Sequence, residues 1–329
     1  MRLTKVLTSA VFSSLLLACN STLYRTHAYA QEYPSRNVTI IVPFPAGGGN
    51  DIFARLIGQR LAAAFGRTVI VDNRPGASGN IGAEAVVRAA PDGHTILYGN
   101  ANVATTQVVP PKPAFDPQRD LAPVSMTVLI PFVLVAHPSL PVRNVKDLLA
   151  LAKAKPGDLT FSAGSTGSIT HLAMELLKLK TKLDARYVPY KGAAPSLAGL
   201  LSGEVQISFL VPPVVQSQIR NGKARTLAVS SLKRSTALPD IPTLHEAGVK
   251  DFEALQWHGF FVPAKTPPAI VTRMHVEVVK ALAASEMKER LATEGAEIVG
   301  STPMDFAAFF RSEVKKWSEV VQRSGTKFE

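Results

Sequence analysis

A single cysteine, Cys19, stands in 329 residues. No intramolecular disulfide can form, and no cysteine set exists to hold zinc or an iron–sulfur centre. Long apolar runs are also missing. Val6 to Ala18 is mostly apolar for only 13 residues, where a bilayer span needs about 20, and no candidate span follows it. The chain has no internal repeats and no low-complexity linker, so two domains would be joined by short crossings rather than by a tether. Nothing matches a P-loop with its lysine, and Gly76-Ala77-Ser78-Gly79-Asn80-Ile81-Gly82 is not G-x-G-x-x-G, which removes the usual nucleotide cradles. Acids are fewer than bases, 25 against 36. The lysines and arginines are scattered and not interleaved with aromatics, so the excess gives no nucleic-acid footprint. It reads as a solvated basic surface suited to anionic small ligands.

The N-terminus carries an address. Arg2 and Lys5 precede the apolar run Val6–Ala18, the pattern of an export signal over residues 1–30. Two cleavage readings remain open. Ala28-Tyr29-Ala30 before Gln31 is an A-x-A site, and Leu16-Leu17-Ala18-Cys19 is similar to a lipoprotein box in which Cys19 would be lipidated. Either way the chain is expected in the periplasm, soluble or lipid-tethered. Removal of residues 1–30 takes Arg2, Lys5 and Arg25 and no acid, lowering the formal net charge from +11 to +8.

Beyond the signal, short β-branched runs alternate with helical patterns. Strands are expected at Val38–Val42, Val69–Val71, Thr95–Tyr98, Phe132–Ala136, Thr160–Ser162, Ala185–Val188, Val205–Phe209, Thr226–Val229 and Gly259–Val262. Helices of appreciable length are expected between them, including Asp51–Phe65, Ile169–Leu179 and Pro303–Arg323. This alternation predicts α/β layers with mainly parallel sheets. The last helix opens on Thr302 as cap, Pro303 in the first turn and Asp305 three residues after the cap. Trp257 is expected at a lobe crossing and Trp317 on the core face of that helix.

Two strand-to-helix loops stand out. Pro43-Phe44-Pro45-Ala46-Gly47-Gly48-Gly49 follows the first strand, and Asn50 or Asp51 can cap the next helix. Glycines let backbone N–H groups approach a ligand, and a helix N-terminus adds unpaired donors and partial positive charge. That combination suits an anion such as a small carboxylate. Ser162-Ala163-Gly164-Ser165-Thr166-Gly167-Ser168 again joins a strand to a helix, with hydroxyl donors and no acid. Two such loops facing each other would grip one anion from both sides, at the carboxyl ends of strands where open α/β sheets bind ligands. Tyr187-Val188-Pro189-Tyr190-Lys191-Gly192 is a third candidate.

These loops resemble those of the Bug family, the extracytoplasmic solute receptors of tripartite tricarboxylate transporters. The matching segments are Val42–Asp51, Val71-Asp72-Asn73-Arg74-Pro75-Gly76 through Gly79-Asn80-Ile81-Gly82, Ala90-Pro91-Asp92-Gly93-His94-Thr95, Ser162–Leu172, Val188–Gly192, Leu227-Ala228-Val229 with Leu238-Pro239-Asp240-Ile241-Pro242-Thr243, and Gly259 to Pro268. They occur in family order from about Tyr33 to the C-terminus. The resemblance implies an α/β, two-lobed periplasmic binding protein of type II, each lobe a mainly parallel sheet flanked by helices. Lobe 1 would comprise residues 31–130 plus 257–329, and lobe 2 residues 131–256. It implies a receptor and no enzyme, without cofactor or metal, monomeric, feeding the membrane subunits of a tripartite tricarboxylate transporter. Carried over by position, the ligand set is Phe44, Pro45, Ala46, Gly47, Gly48 and Asp51; Ser162, Gly164, Ser165, Gly167, Ser168 and His171; and Tyr190, Lys191 and Gly192. Asp51 and His171 have an architectural reading beside the ligand one.

Many members of that family carry an acid or other polar residue after the strand Val205–Phe209, suited to the ammonium of an amino acid. This chain has Leu210, which cannot pair with a cation. The expected ligand is therefore a di-/tricarboxylate or an aromatic acid without an amino group. Three other readings are weaker. Ala163-Gly164-Ser165-Thr166-Gly167 is near a nucleophile elbow, with His245, His258 and His275 downstream, but no spacing singles out a partner. His171 and Glu175 share a helix face, yet no third metal ligand has a suggestive spacing. A receptor that presents ligand to a membrane sensor would look the same.

Overall fold

The computed structural model describes residues 33–326. The export signal and Cys19 lie outside the described residues. The chain divides into two units, Met1–Ser35 and Arg36–Glu329, and the elements below all belong to the second.

The β-branched run of β1 (Val38–Val42) is nearly wholly buried. It lies between two parallel partners, β2 (Val69–Asn73) and β3 (Thr95–Asn100). A strand covered on both faces needs apolar side chains on both, so it shows no alternation. Helix α1 (Gly49–Phe65) follows β1 and buries Phe53, Ile57 and Leu61 against the sheet. It stops at Gly66, whose φ of 60° is the left-handed conformation that ends helices. The expected cap is corrected. The N-cap is Gly48, without a side-chain cap. Asp51 sits one turn in and accepts from the Gly47 N–H at 2.9 Å. Asn50 accepts from Asn100 Nδ2 at 3.0 Å, fastening the helix start to β3. α2 (Asn80–Val87) leads on to β3, and two short helices, α3 (Asn102–Thr105) and α4 (Pro117–Asp120), precede β4 (Leu121–Pro131).

At Phe132 the chain passes into a second sheet. β5 (Val133–Ala136) is followed by α5 (Val145–Ala154), β6 (Leu159–Ala163), α6 (Ile169–Thr181), β7 (Ala185–Pro189), α7 (Ala193–Ser202), β8 (Ile207–Leu210), α8 (Pro212–Arg220) and β9 (Arg225–Val229). This sheet is ordered β7-β6-β8-β5-β9. The chain then returns along β10 (Leu255–Pro263) and ends with α9 (Pro268–Ala283), α10 (Ser285–Thr293), β11 (Glu297–Ile298) and α11 (Pro303–Ser324). The first sheet is ordered β11-β4-β10-β3-β1-β2.

The two-lobed α/β arrangement is present, and each sheet is mixed. β1, β2 and β3 are parallel, as are β6, β7 and β8. β10 runs antiparallel to β3 and β4, and β5 runs antiparallel to β8 and β9. The reason is topological. β4 carries the chain toward the second sheet and β10 carries it back, so side by side they must run opposite ways. β4 and the front half of β10 escape the sequence pattern because Pro123, Ser125, Thr127, Gln256 and His258 interrupt their apolar runs.

The crossings are bonded to each other. Phe132 N donates to Ser230 Oγ at 2.8 Å and Ser230 N donates to Phe132 O at 2.9 Å. Ala254 N donates to Ser230 O at 3.1 Å. Behind them α11 packs on β4 and on α6 of the second sheet. Trp257 and Trp317 are both buried as expected, and both indoles donate to one carboxylate oxygen of Glu313, at 3.2 and 3.0 Å. Lys316 pairs with the same carboxylate, so a buried acid is compensated from three sides.

Candidate functional site

Between the two sheets lies a cleft of about 670 Å³. Loops after β1 and β2 form one wall, and loops after β6, β7 and β8 form the other. A groove of about 590 Å³, lined by Arg55, Gln59 and Arg67 among others, lies beside β2. It holds none of the strand-to-helix loops, so the cleft is the candidate site.

On the first wall, Pro43, Phe44 and Pro45 line the cleft, and Asn73 Nδ2 holds the Phe44 carbonyl at 3.1 Å. Ala46, Gly47, Gly48 and Asp51 do not line it. Ala46, Gly47 and Gly48 are exposed at the rim and Asp51 is buried behind them. Burial opposes ionisation of Asp51, but hydrogen bonds from Arg55, Gly47 and Asn73 outweigh it and lower its pKa. The ion pair with Arg55 is 2.9 Å long. Asp51 therefore holds the glycine loop in shape.

The same wall contains a segment that the family resemblance covers but that stood outside the expected ligand set. Gly76, Ala77, Ser78 and Gly79 all have positive φ, at 132°, 46°, 55° and 105°. Two consecutive non-glycine residues in that region are strained, and such strain clusters at ligand sites. All four residues line the cleft. The signal available was Gly-Ala-Ser-Gly itself, a turn spelled with small residues.

On the second wall, Gly164, Ser165, Ser168, Ile169 and Thr170 line the cleft. The loop uses much of its own bonding capacity. Gly164 N donates to Thr170 Oγ1 at 3.1 Å, and Ser165 N to Ser168 Oγ at 3.2 Å. Gly167 N donates to His171 Nδ1 at 3.0 Å. The expectation that glycine N–H groups of this loop grip the ligand is thus corrected for Gly164 and Gly167. Gly167 is buried and approached by Val109, where a Cβ would clash. Ser162 is fully buried and bonded to Ser196 Oγ at 2.7 Å. His171 is also fully buried, stacked on Tyr187 with ring centroids 3.9 Å apart. Burial, helped by nearby Lys178, pushes its pKa down to about 4, so it is a neutral acceptor that holds the loop. Glu175 stands 3.8 Å from its Nε2 and is itself bonded to Lys178 at 3.0 Å.

The walls touch. Ser78 Oγ and Ser165 Oγ are 3.4 Å apart. Asn102, also in the lining, accepts the Ile169 N–H at 3.1 Å. A side chain from the first sheet's side therefore caps the first turn of α6.

From the third loop, Tyr190, Lys191 and Gly192 line the cleft. The Tyr190 hydroxyl lies against Gly199 of α7. Burial, with Glu204 nearby, pushes its pKa up to about 12. Lys191 is exposed and is the one charged side chain among the described lining residues. Phe132, Phe209, Leu210 and Val211 make the rest of this wall apolar, with Gln256 beside them. No histidine and no acid among the described residues lines the cleft. Among the described residues no cluster of three metal-binding side chains exists.

The family model described as "Tripartite tricarboxylate transporter family receptor" matches residues 53–326. The chain belongs to this family. The family consists of receptors, and the chain is no enzyme. It is 36% identical over 300 residues to the protein BugT of Bordetella pertussis, covering 91% of this chain and 92% of that one. Among solved structures, R. palustris Rpa4515 with adipate is 36% identical, with a TM-score of 0.81, covering 89% of this chain and 99% of the other. MatC from Rhodopseudomonas palustris with bound malate is 31% identical, with a TM-score of 0.78, covering 88% and 100%. Two of the solved structures it resembles thus hold small carboxylates, adipate in one and malate in the other.

Proposed function

We propose that this receptor binds one small carboxylic acid without an amino group in the periplasm and delivers it to the membrane subunits of a tripartite transporter. The observation that carries the reading is the cleft's charge pattern. Among the described lining residues stand one cation, Lys191, uncharged polar groups such as the Ser78 and Ser165 hydroxyls, an apolar patch of Phe132, Phe209, Leu210 and Val211, and no acid. A carboxylate has a partner there. An ammonium finds no acid there to balance its charge, and burying it without one would be costly. The relatives that hold adipate and malate hold acids of this kind.

The ligand-contacting set is Phe44, Pro45, Gly164, Ser165, Ser168, Tyr190, Lys191 and Gly192, joined by Ser78 and Asn102. Ala46, Gly47, Gly48, Asp51, Ser162, Gly167 and His171 shape the loops. Residues 1–30 act as the export signal, and the working form is a monomer with its hinge at the Phe132–Ser230 crossing. Ligand bridging the walls favours the closed form by its differential affinity, and the membrane partner reads that form.

Thermal shift of the purified protein against mono-, di-, tricarboxylic and aromatic acids tests this. A few acids should raise the melting temperature by several degrees. Lys191→Met should weaken those acids about tenfold or more, the size of a charged hydrogen bond. Stabilisation by aspartate or glutamate alone would refute the reading.

A further inference from the structure

Tyr190 and Gln256 are the described lining residues with a buried polar side-chain atom that lacks a hydrogen-bond partner. The Tyr190 hydroxyl has Glu204 nearby, which leaves Gln256. It lies on β10, opposite Ile130 of β4 and two residues from the hinge contact at Ala254. Phe132, Phe209, Leu210 and Val211 share the lining with it. Leu210 is registered opposite Val133, next to the Phe132 crossing. The Gln256 Oε1 atom is buried and accepts no hydrogen bond. A buried acceptor left unpaired costs more than a made bond returns. An apolar residue of similar size would pack there without that cost. The carboxamide is explained if its partner arrives with the ligand.

Charge decides what that partner can be. Lys191, the one cation among the described lining residues, stands on the loop after β7 of the second sheet, whereas Gln256 is on β10 of the first. An ionised carboxylate only accepts and cannot donate to Oε1, and an ammonium could donate but would bury its charge with no acid in the described lining to pair it. A neutral donor such as a hydroxyl satisfies Oε1 without that cost.

We propose that Gln256 is a specificity-determining residue that pairs with an uncharged hydroxyl at the far end of the ligand. The ligand class is then a monocarboxylic acid with an apolar or aromatic body and a terminal hydroxyl. This inference rests on the carboxylate reading of the cleft and narrows it.

Isothermal titration of the full purified protein with paired probes tests it: benzoate against 4-hydroxybenzoate, and hexanoate against 6-hydroxyhexanoate, with adipate as the dianion. The wild-type protein should bind the hydroxylated member of at least one pair about five- to tenfold more tightly than the plain acid. Gln256→Leu should abolish that preference while leaving the plain acid as tight or tighter. The melting temperature of unliganded Q256L should be unchanged or higher, because an unpartnered polar atom has been removed. Three results would overturn the proposal: equal weakening of both members of a pair, adipate as the tightest probe, or a Q256L protein that melts several degrees lower. If no carboxylic acid binds the wild type at all, the carboxylate reading itself has failed, and Gln256 with it.

Discussion

The buried histidines His171 and His258 are structural, and they set an acid limit on the fold. Burial pushes His258 down to about 3 and His171 down to about 4. His258 packs between Phe53 and Tyr98, with Nδ1 lacking a hydrogen bond. Both rings are neutral in the fold, while in the unfolded chain they take up a proton near pH 6.5. As pH falls below 6.5 the unfolded state binds more protons, so stability falls until the folded values are reached. For His171 alone the loss is on the order of 3 kcal/mol. Calorimetric melting temperatures should be nearly flat from pH 8 to 6.5 and decline steadily from 6.5 to 4. A flat profile down to pH 4 would mean that these rings are not held neutral. The same two residues show what a sequence conceals. His171 sits in a loop that resembles a ligand clamp, yet its partner is the Gly167 N–H inside the loop. Nothing local distinguishes the two roles; only the burial of the ring by Phe161 and Tyr187 does so.

At the scale of elements, the strand-to-helix loops were legible and their division of labour was not. β-Branched runs such as Val38–Val42, followed by glycine and a helical stripe, place each loop at a strand's carboxyl end. The three loops do converge on one cleft. Sequence could not show that the second loop spends its N–H groups on Thr170, Ser168 and His171, because those bonds depend on side-chain rotamers. It also gave little weight to Gly76–Gly79, where consecutive left-handed residues are visible only in the backbone. Asn102 was invisible for another reason: it caps a helix 67 residues later, from the opposite wall. Its own position is fixed, since Asn102 N donates to Asn100 Oδ1 at 3.0 Å and its carbonyl accepts from Thr105 Oγ1 at 3.0 Å. Asn102→Ala should therefore weaken ligand binding about three- to tenfold by removing one closure bond. It should also enlarge the radius of gyration of the unliganded protein in solution scattering. Unchanged affinity together with unchanged scattering would show that the bond does not favour closure.

At the scale of the whole molecule, the lobes are joined by two bonded crossings, and α11 packs across their back. The apolar core runs without a break from Ile41 through Phe132 and Phe209 to Trp317. The closure proposed above would then be a small rotation about the Phe132, Ser230 and Ala254 contacts rather than a free swing. The cleft opposite that hinge is where such a rotation moves the walls most. This geometry makes a ligand that touches both walls the natural trigger, and the lining makes a carboxylate its natural charge. Titration calorimetry with an acid, its primary amide and an amino acid separates these ideas most directly. The account predicts heat and saturation with at least one aliphatic or aromatic acid, loss of most affinity with the corresponding amide, and no tight binding of aspartate or glutamate. Equal affinity for acid and amide, or tight binding restricted to the amino acids, would contradict it.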